Sequence, residues 1–173
     1  MNRLESTLLL LGVCGVLGIS HSAAAQPSSC KPVTDAMLKV ATTPNHAVAT
    51  DDRSGATETI LVDNTLYLRM RGVWRKSPIT PQQQLQQEQE NIKNVKVYTC
   101  TALRTETVNG IAAVAYKFHS ETPDAGTADG TVWIAPSLGL PVKTDEDIVT
   151  SVGPQRHISM TWDYANIHAP VVK

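Results

Sequence analysis

Apolar positions recur along this chain at two spacings, and the change from one to the other lays out its elements. From 31 to 43, Val33, Met37, Val40 and Ala41 fall at i, i+4, i+7 and i+8, one apolar stripe of a helix. Pro32 stands near its start, where a missing N–H costs nothing, and Pro44 ends it. Period-two segments then take over. The alternation predicts a short strand over 46–51, a turn at Asp52-Arg53-Ser54-Gly55, and a hairpin over 57–62 and 65–71 joined by Asp63-Asn64. In the second arm Leu66, Leu68 and Met70 face one way and Tyr67, Arg69 and Arg71 the other. Residues 72–78 read as an irregular link.

Thr80-Pro81-Gln82-Gln83 opens a second helix, with Thr80 as cap, Pro81 at the first helical position and Gln83 completing a capping box. That helix, through Asn91, is almost wholly polar, and only Leu85, Gln89 and Ile92 make a narrow stripe. Such a helix packs lightly against its neighbours and moves more than a sheet. From Val95 onward strand follows strand: 95–105 carrying Cys100, a turn at Val108-Asn109-Gly110, and 111–119 with Val114, Tyr116 and Phe118 on one face. A loop over 121–126 leads to a hairpin over 126–141, in which Pro136-Ser137-Leu138-Gly139 supplies the turn. The last strand, 157–164, sets Ile158, Met160, Trp162 and Tyr164 against His157, Ser159, Thr161 and Asp163. Connections this short exclude parallel crossovers. The fold class is therefore α+β: a single antiparallel sheet of about eight strands, with a short N-terminal helix and a polar second helix. A sheet of that many twisted strands curls and acquires a concave face.

The first 25 residues change the compartment. Leu8 to Ile19 is an apolar run too short to span a bilayer, followed by Ala23-Ala24-Ala25, the small-residue pattern of signal-peptide cleavage. The sequence thus divides into a signal peptide, 1–25, and one domain, 26–173, in the periplasm or secreted, with no transmembrane segment in the mature chain. A lipid on Cys14 would tether the protein. Val13 directly before it, and the apolar run continuing past it, argue against that modification. The two remaining cysteines, Cys30 and Cys100, can make one disulfide in an oxidising compartment, closing a loop of about 70 residues. Two free thiols or a metal pair are the alternative, but no histidine stands at ligand spacing from either.

Charge and motifs exclude more than they identify. With 15 basic and 16 acidic residues, a net charge of −1 and no Lys/Arg block, the field that nucleic-acid binding requires is missing. No nucleophile elbow, zincin motif, phosphate loop or Cys-x-x-Cys pair occurs. No catalytic residue, metal ligand or cofactor is assigned, and the chain reads as non-enzymatic. His46, His119, His157 and His168 are scattered, and Asp145-Glu146-Asp147 are consecutive, unlike calcium ligands.

The apolar rows are the candidate chemistry. Leu66, Leu68 and Met70; Val114, Tyr116 and Phe118; and Ile158, Met160, Trp162 and Tyr164 can line one concave surface. On the strand over 131–135 either Val132 and Ile134 or Trp133 turns inward, and Trp133 is counted with the candidate lining because it is the largest group there. Such rows ordinarily make a closed core. Here there is little helix to cover them, and a partly lined cavity is the alternative.

The second half of the chain resembles the LolA-like superfamily, the periplasmic lipoprotein carriers and their LppX/LprG-type relatives. The resemblance is carried by Val108-Asn109-Gly110-Ile111-Ala112-Ala113-Val114-Ala115-Tyr116, Thr131-Val132-Trp133-Ile134, Gly139-Leu140-Pro141-Val142-Lys143 and Tyr164-Ala165-Asn166-Ile167. It implies an unclosed half-barrel with helices over its opening, exported, that binds lipid or acyl chains without covalent chemistry. The candidate partners are accordingly a lipid or acylated ligand and an envelope protein. The competing reading is a small envelope interaction module with a dry core.

Overall fold

The computed structural model describes residues 28–123, 125–150 and 153–172. The expected signal peptide and Cys14 lie outside them. A 3-10 turn, Ser28–Cys30, runs into α1, Lys31–Val40. Four strands follow: β1 (Asn45–Asp51), β2 (Gly55–Val62), β3 (Thr65–Met70) and β4 (Val73–Lys76). After α2 (Pro81–Asn94) come β5 (Val97–Val108), β6 (Ile111–Thr122), β7 (Gly126–Ala135), β8 (Leu140–Val149) and β9 (Arg156–Asp163).

All of them join one antiparallel sheet in the order β4-β3-β2-β1-β9-β8-β7-β6-β5. β4 and β5 are its two edges, so the sheet stays open. Two consecutive meanders, β1 to β4 and β5 to β9, meet where β1 pairs with β9.

The described sheet has nine strands where eight were expected. The addition is β4, within the segment read as a link. Arg71 and Gly72 take left-handed φ of 50° and 79°, a two-residue turn that sends the chain back so that Val73 pairs with Met70. The same turn chemistry operates at Asp63-Asn64 (φ 48° and 54°), as the sequence predicts.

α1 presses Val33 and Ala36 onto Cys100, Phe118, Val132 and Ile134. One turn on, Val40 packs with Ala47, Leu140 and Trp162. These contacts define the inner face of the sheet. The Cys30–Cys100 disulfide, spanning 70 residues, pins the start of α1 to β5. Phe118 lies directly across from Gly130. A Cβ at Gly130 would stand 2.9 Å from the Phe118 ring and 2.6 Å from the Asp145 carbonyl oxygen. Any larger residue there would collide with both the ring and the β8 backbone.

α2 is held differently. Its capping box is complete: the Gln83 N–H donates to Thr80 Oγ1 at 3.2 Å, and the Thr80 N–H donates to Gln83 Oε1 at 2.9 Å. Pro81 is its one fully buried residue. With so little packing, the cap carries a large share of the helix's local stability. Thr80→Ala is expected to weaken α2 by about 1 kcal/mol. Amide exchange should quicken across α2 and stay unchanged in β6 to β8; equal quickening in those strands would contradict a locally held helix.

Candidate functional site

Strand alternation and cross-strand register assign every side chain of the sheet to a face. The register carries Tyr116 opposite Val132, Val132 opposite Thr144, Thr144 opposite Met160 and Met160 opposite Ala49. Leu61 and Leu66 extend that inner face into β2 and β3. Between it and the two helices lie two neighbouring cavities.

The first, about 230 Å³, is apolar on the sheet side, with Ala47, Leu61, Leu66, Met160 and Trp162, and is roofed by Met37 and Val40 from α1 and Gln84 and Glu88 from α2. The second, about 180 Å³, lies toward β5 to β8 and is bounded by Met37, Ile92, Tyr98, Phe118 and Ala128 together with Glu88, Asn91, Ser120 and Glu146. Met37 and Glu88 border both. A third hollow, about 260 Å³, opens beside the first turn of α1 between Pro32, Val114, Tyr116, Ile134 and Pro136.

The expected lining residues are therefore divided. Leu66, Met160 and Trp162 border the first cavity, Phe118 the second, and Val114 and Tyr116 the third. Leu68, Met70 and Ile158 share the inner face outside the linings of these three, and Met70 is 60% exposed. Tyr164 follows the end of β9, packs against the cluster that holds Trp162 and the one that holds Ala135 and Val142, and donates its hydroxyl to the Pro141 carbonyl.

Trp133 is on the opposite face, which corrects its place in the lining. Val132 and Ile134 face inward, so alternation turns Trp133 out against Ala115 and Lys143. There its Nε1–H donates to Glu106 Oε2 at 2.9 Å, and Lys143 Nζ stands 4.8 Å from the ring centroid. The indole bond holds the Glu106 carboxyl below its usual range, with Arg104 adding to the effect. On that face the indole has its hydrogen-bond acceptor in Glu106.

Two residues that the apolar rows did not point to are Glu88 and Glu146. Burial pushes both carboxyls up; for Glu146 the pull of Arg156 opposes this, and the proximity of Glu88 adds to it. Tyr98, which borders the same cavity, is pushed up to about 12 by burial and by the same two carboxylates. The signal for Glu88 was its helical spacing from Gln84 and Asn91, a polar stripe on the covered side of α2.

The outer face carries a different row. His119, Asp129, Asp147 and His157 stand side by side on β6, β7, β8 and β9. His119 Nδ1 lies 2.9 Å from Asp129 Oδ1, and His157 Nδ1 lies 3.1 Å from Asp147 Oδ1. The carboxylates raise the pKa of both imidazoles by accepting their hydrogen bonds, Asp129 and then Glu121 in one case and chiefly Asp147 in the other. Each imidazolium is thus favoured by folding. Its contribution is fully present below the unfolded value of about 6.5 and is lost as pH rises through the higher folded value. The thermal midpoint is expected to fall between about pH 6 and about pH 8, and less so in a His119→Gln, His157→Gln double variant. Identical slopes for the two proteins would rule the row out as the cause.

Among the described residues no group of three or more His, Cys, Asp or Glu is placed to hold a metal ion. No helix among them is long and apolar enough to cross a membrane.

No protein-family profile matches the chain, and no curated protein matches it in sequence. Solved structures do match. LprF from Mycobacterium bovis superposes with a TM-score of 0.50 at 15% identity, over 85% of this chain and 96% of that one. The Mycobacterium tuberculosis lipoprotein LppX gives a TM-score of 0.48 at 11% identity, over 83% of this chain and 99% of that one. The fold expected from the LolA-like resemblance is the fold observed.

Proposed function

We propose that this protein is an exported, non-enzymatic binder or carrier of a hydrophobic ligand, a lipid or acyl chain, in the cell envelope. The observation that carries this reading is the pair of cavities left between the inner face of the sheet and the helices. A sheet of this width needs more apolar cover than one striped helix and one polar helix provide, and space lined by Leu61, Leu66, Met160 and Trp162 suits a chain of methylenes. The disulfide fits an oxidising compartment, and export would follow from residues 1–25, leaving one domain over 26–173.

Native mass spectrometry of protein purified from a cell envelope tests this directly. Bound lipid, removed by extraction and restored by adding phospholipid or acylated peptide, is the expected result. Ligand-free protein with no mass shift on addition would sink it. Labelling the full chain with a palmitate analogue, beside a Cys14→Ser variant, separates a free chain from a lipid-modified one such as the name of LppX describes for that protein.

One observation favours a second reading, an envelope module that meets another protein. β5 is a 12-residue edge strand whose outer side is unpaired, and it exposes Val97 and Leu103. Lipid-free protein that nevertheless captured a partner through this edge would turn the choice.

A further inference from the structure

The second cavity is not built like a hydrocarbon slot. Two carboxylates enter it from opposite walls, Glu88 from α2 and Glu146 from β8, and neither has an ion-pair partner among the described residues. No lysine, arginine or histidine borders it. Arg156 acts on Glu146 only at a distance and makes its ion pair with Asp51, at 3.4 Å, while His157 pairs with Asp145 and Asp147 on the outer face. A second wall is aromatic. Tyr98 and Phe118 meet edge to face, with ring centroids 6.4 Å apart.

We propose that this cavity seats the protonated amine head of an amphiphile whose apolar chain runs past Met37 into the first cavity. This rests on the carrier reading and narrows it to a ligand class. Two partly desolvated like charges facing one space are costly as they stand, and a single ammonium between them relieves both. The aromatic faces attract the same cation through their quadrupoles, and Ser120 Oγ and the Asn91 side-chain carbonyl offer further acceptors for its N–H groups. A phosphate or sulfate head would face the two carboxylates with no cation bordering the cavity to offset them. A neutral hydroxyl gains the hydrogen bonds but not the charge. Met37 and Glu88 border both cavities, so chain and head can be held at once.

Titrating the full chain with dodecylamine, dodecanol and dodecyl sulfate below their micellar concentrations tests the assignment, with tryptophan fluorescence and calorimetry as readouts. Dodecylamine is expected to bind about tenfold or more tighter than dodecanol, and dodecyl sulfate weakest. In Glu146→Gln, and in a Glu88→Gln, Glu146→Gln double variant, the preference for the amine should vanish while dodecanol binding stays. Equal affinities in the native protein, or an amine preference that survives both variants, overturns the amine site and leaves the carrier reading standing. Failure of all three to bind overturns both.

Discussion

Removing the Cys30–Cys100 bond should cost about 4 kcal/mol of unfolding free energy. The bridge closes a 70-residue loop, and in the chain-entropy account its contribution comes from denying the denatured chain that freedom. It has a native role as well. α1 reaches the sheet through Val33, Ala36, Met37 and Val40, and the bridge is the only covalent tie, apart from the chain itself, between its start and β5 among the described residues. Both sulfur positions are buried, so a double serine variant adds two buried hydroxyls to the loss of the bond. Reduction of the native protein isolates the bond. The urea midpoint should fall in both cases, and further in the serine variant. A midpoint unmoved by reductant would mean that packing alone fixes α1.

Phe118→Ala is expected to lose about 3 to 5 kcal/mol. The ring joins the Cys30, Val33 and Val132 cluster, meets Tyr98 edge to face and covers the bare backbone of Gly130. Collapse cannot refill the space, because what lies beneath is a strand held on both sides by β6 and β8. The vacated volume adds to the second cavity. Chemical denaturation should show the loss of stability. A loss under about 1 kcal/mol with the sheet intact would show that α2 settles into the gap.

What the chain disclosed and what it withheld follow from the range of the interactions. The Asp63-Asn64 turn, the Thr80 capping box and the pairing of Cys30 with Cys100 were legible because each is decided by a few residues or by elimination. β4 was missed because Arg71-Gly72 is a weaker turn signal than Asn-Gly and four residues make a poor alternation. The face of Trp133 depended on whether β7 offered an acceptor outside, and Glu106, 27 residues earlier, supplies it. Glu88 and Glu146 were overlooked for the same reason: only the folded chain sets α2 above β8, and an exposed glutamate reads the same in sequence as one turned inward.

The meeting of β1 with β9 also fixes an order of assembly. Every other strand pairs with a neighbour in sequence, so each meander can form by local hairpin closure, whereas Ala47 must wait for Trp162. Closing that contact ties residues 47 to 162 into one loop, the longest closure between paired strands of the sheet. Refolding should therefore be limited by the joining of two preformed half-sheets. During synthesis from the N-terminus, the side of β1 away from β2 remains an open edge until β9 arrives.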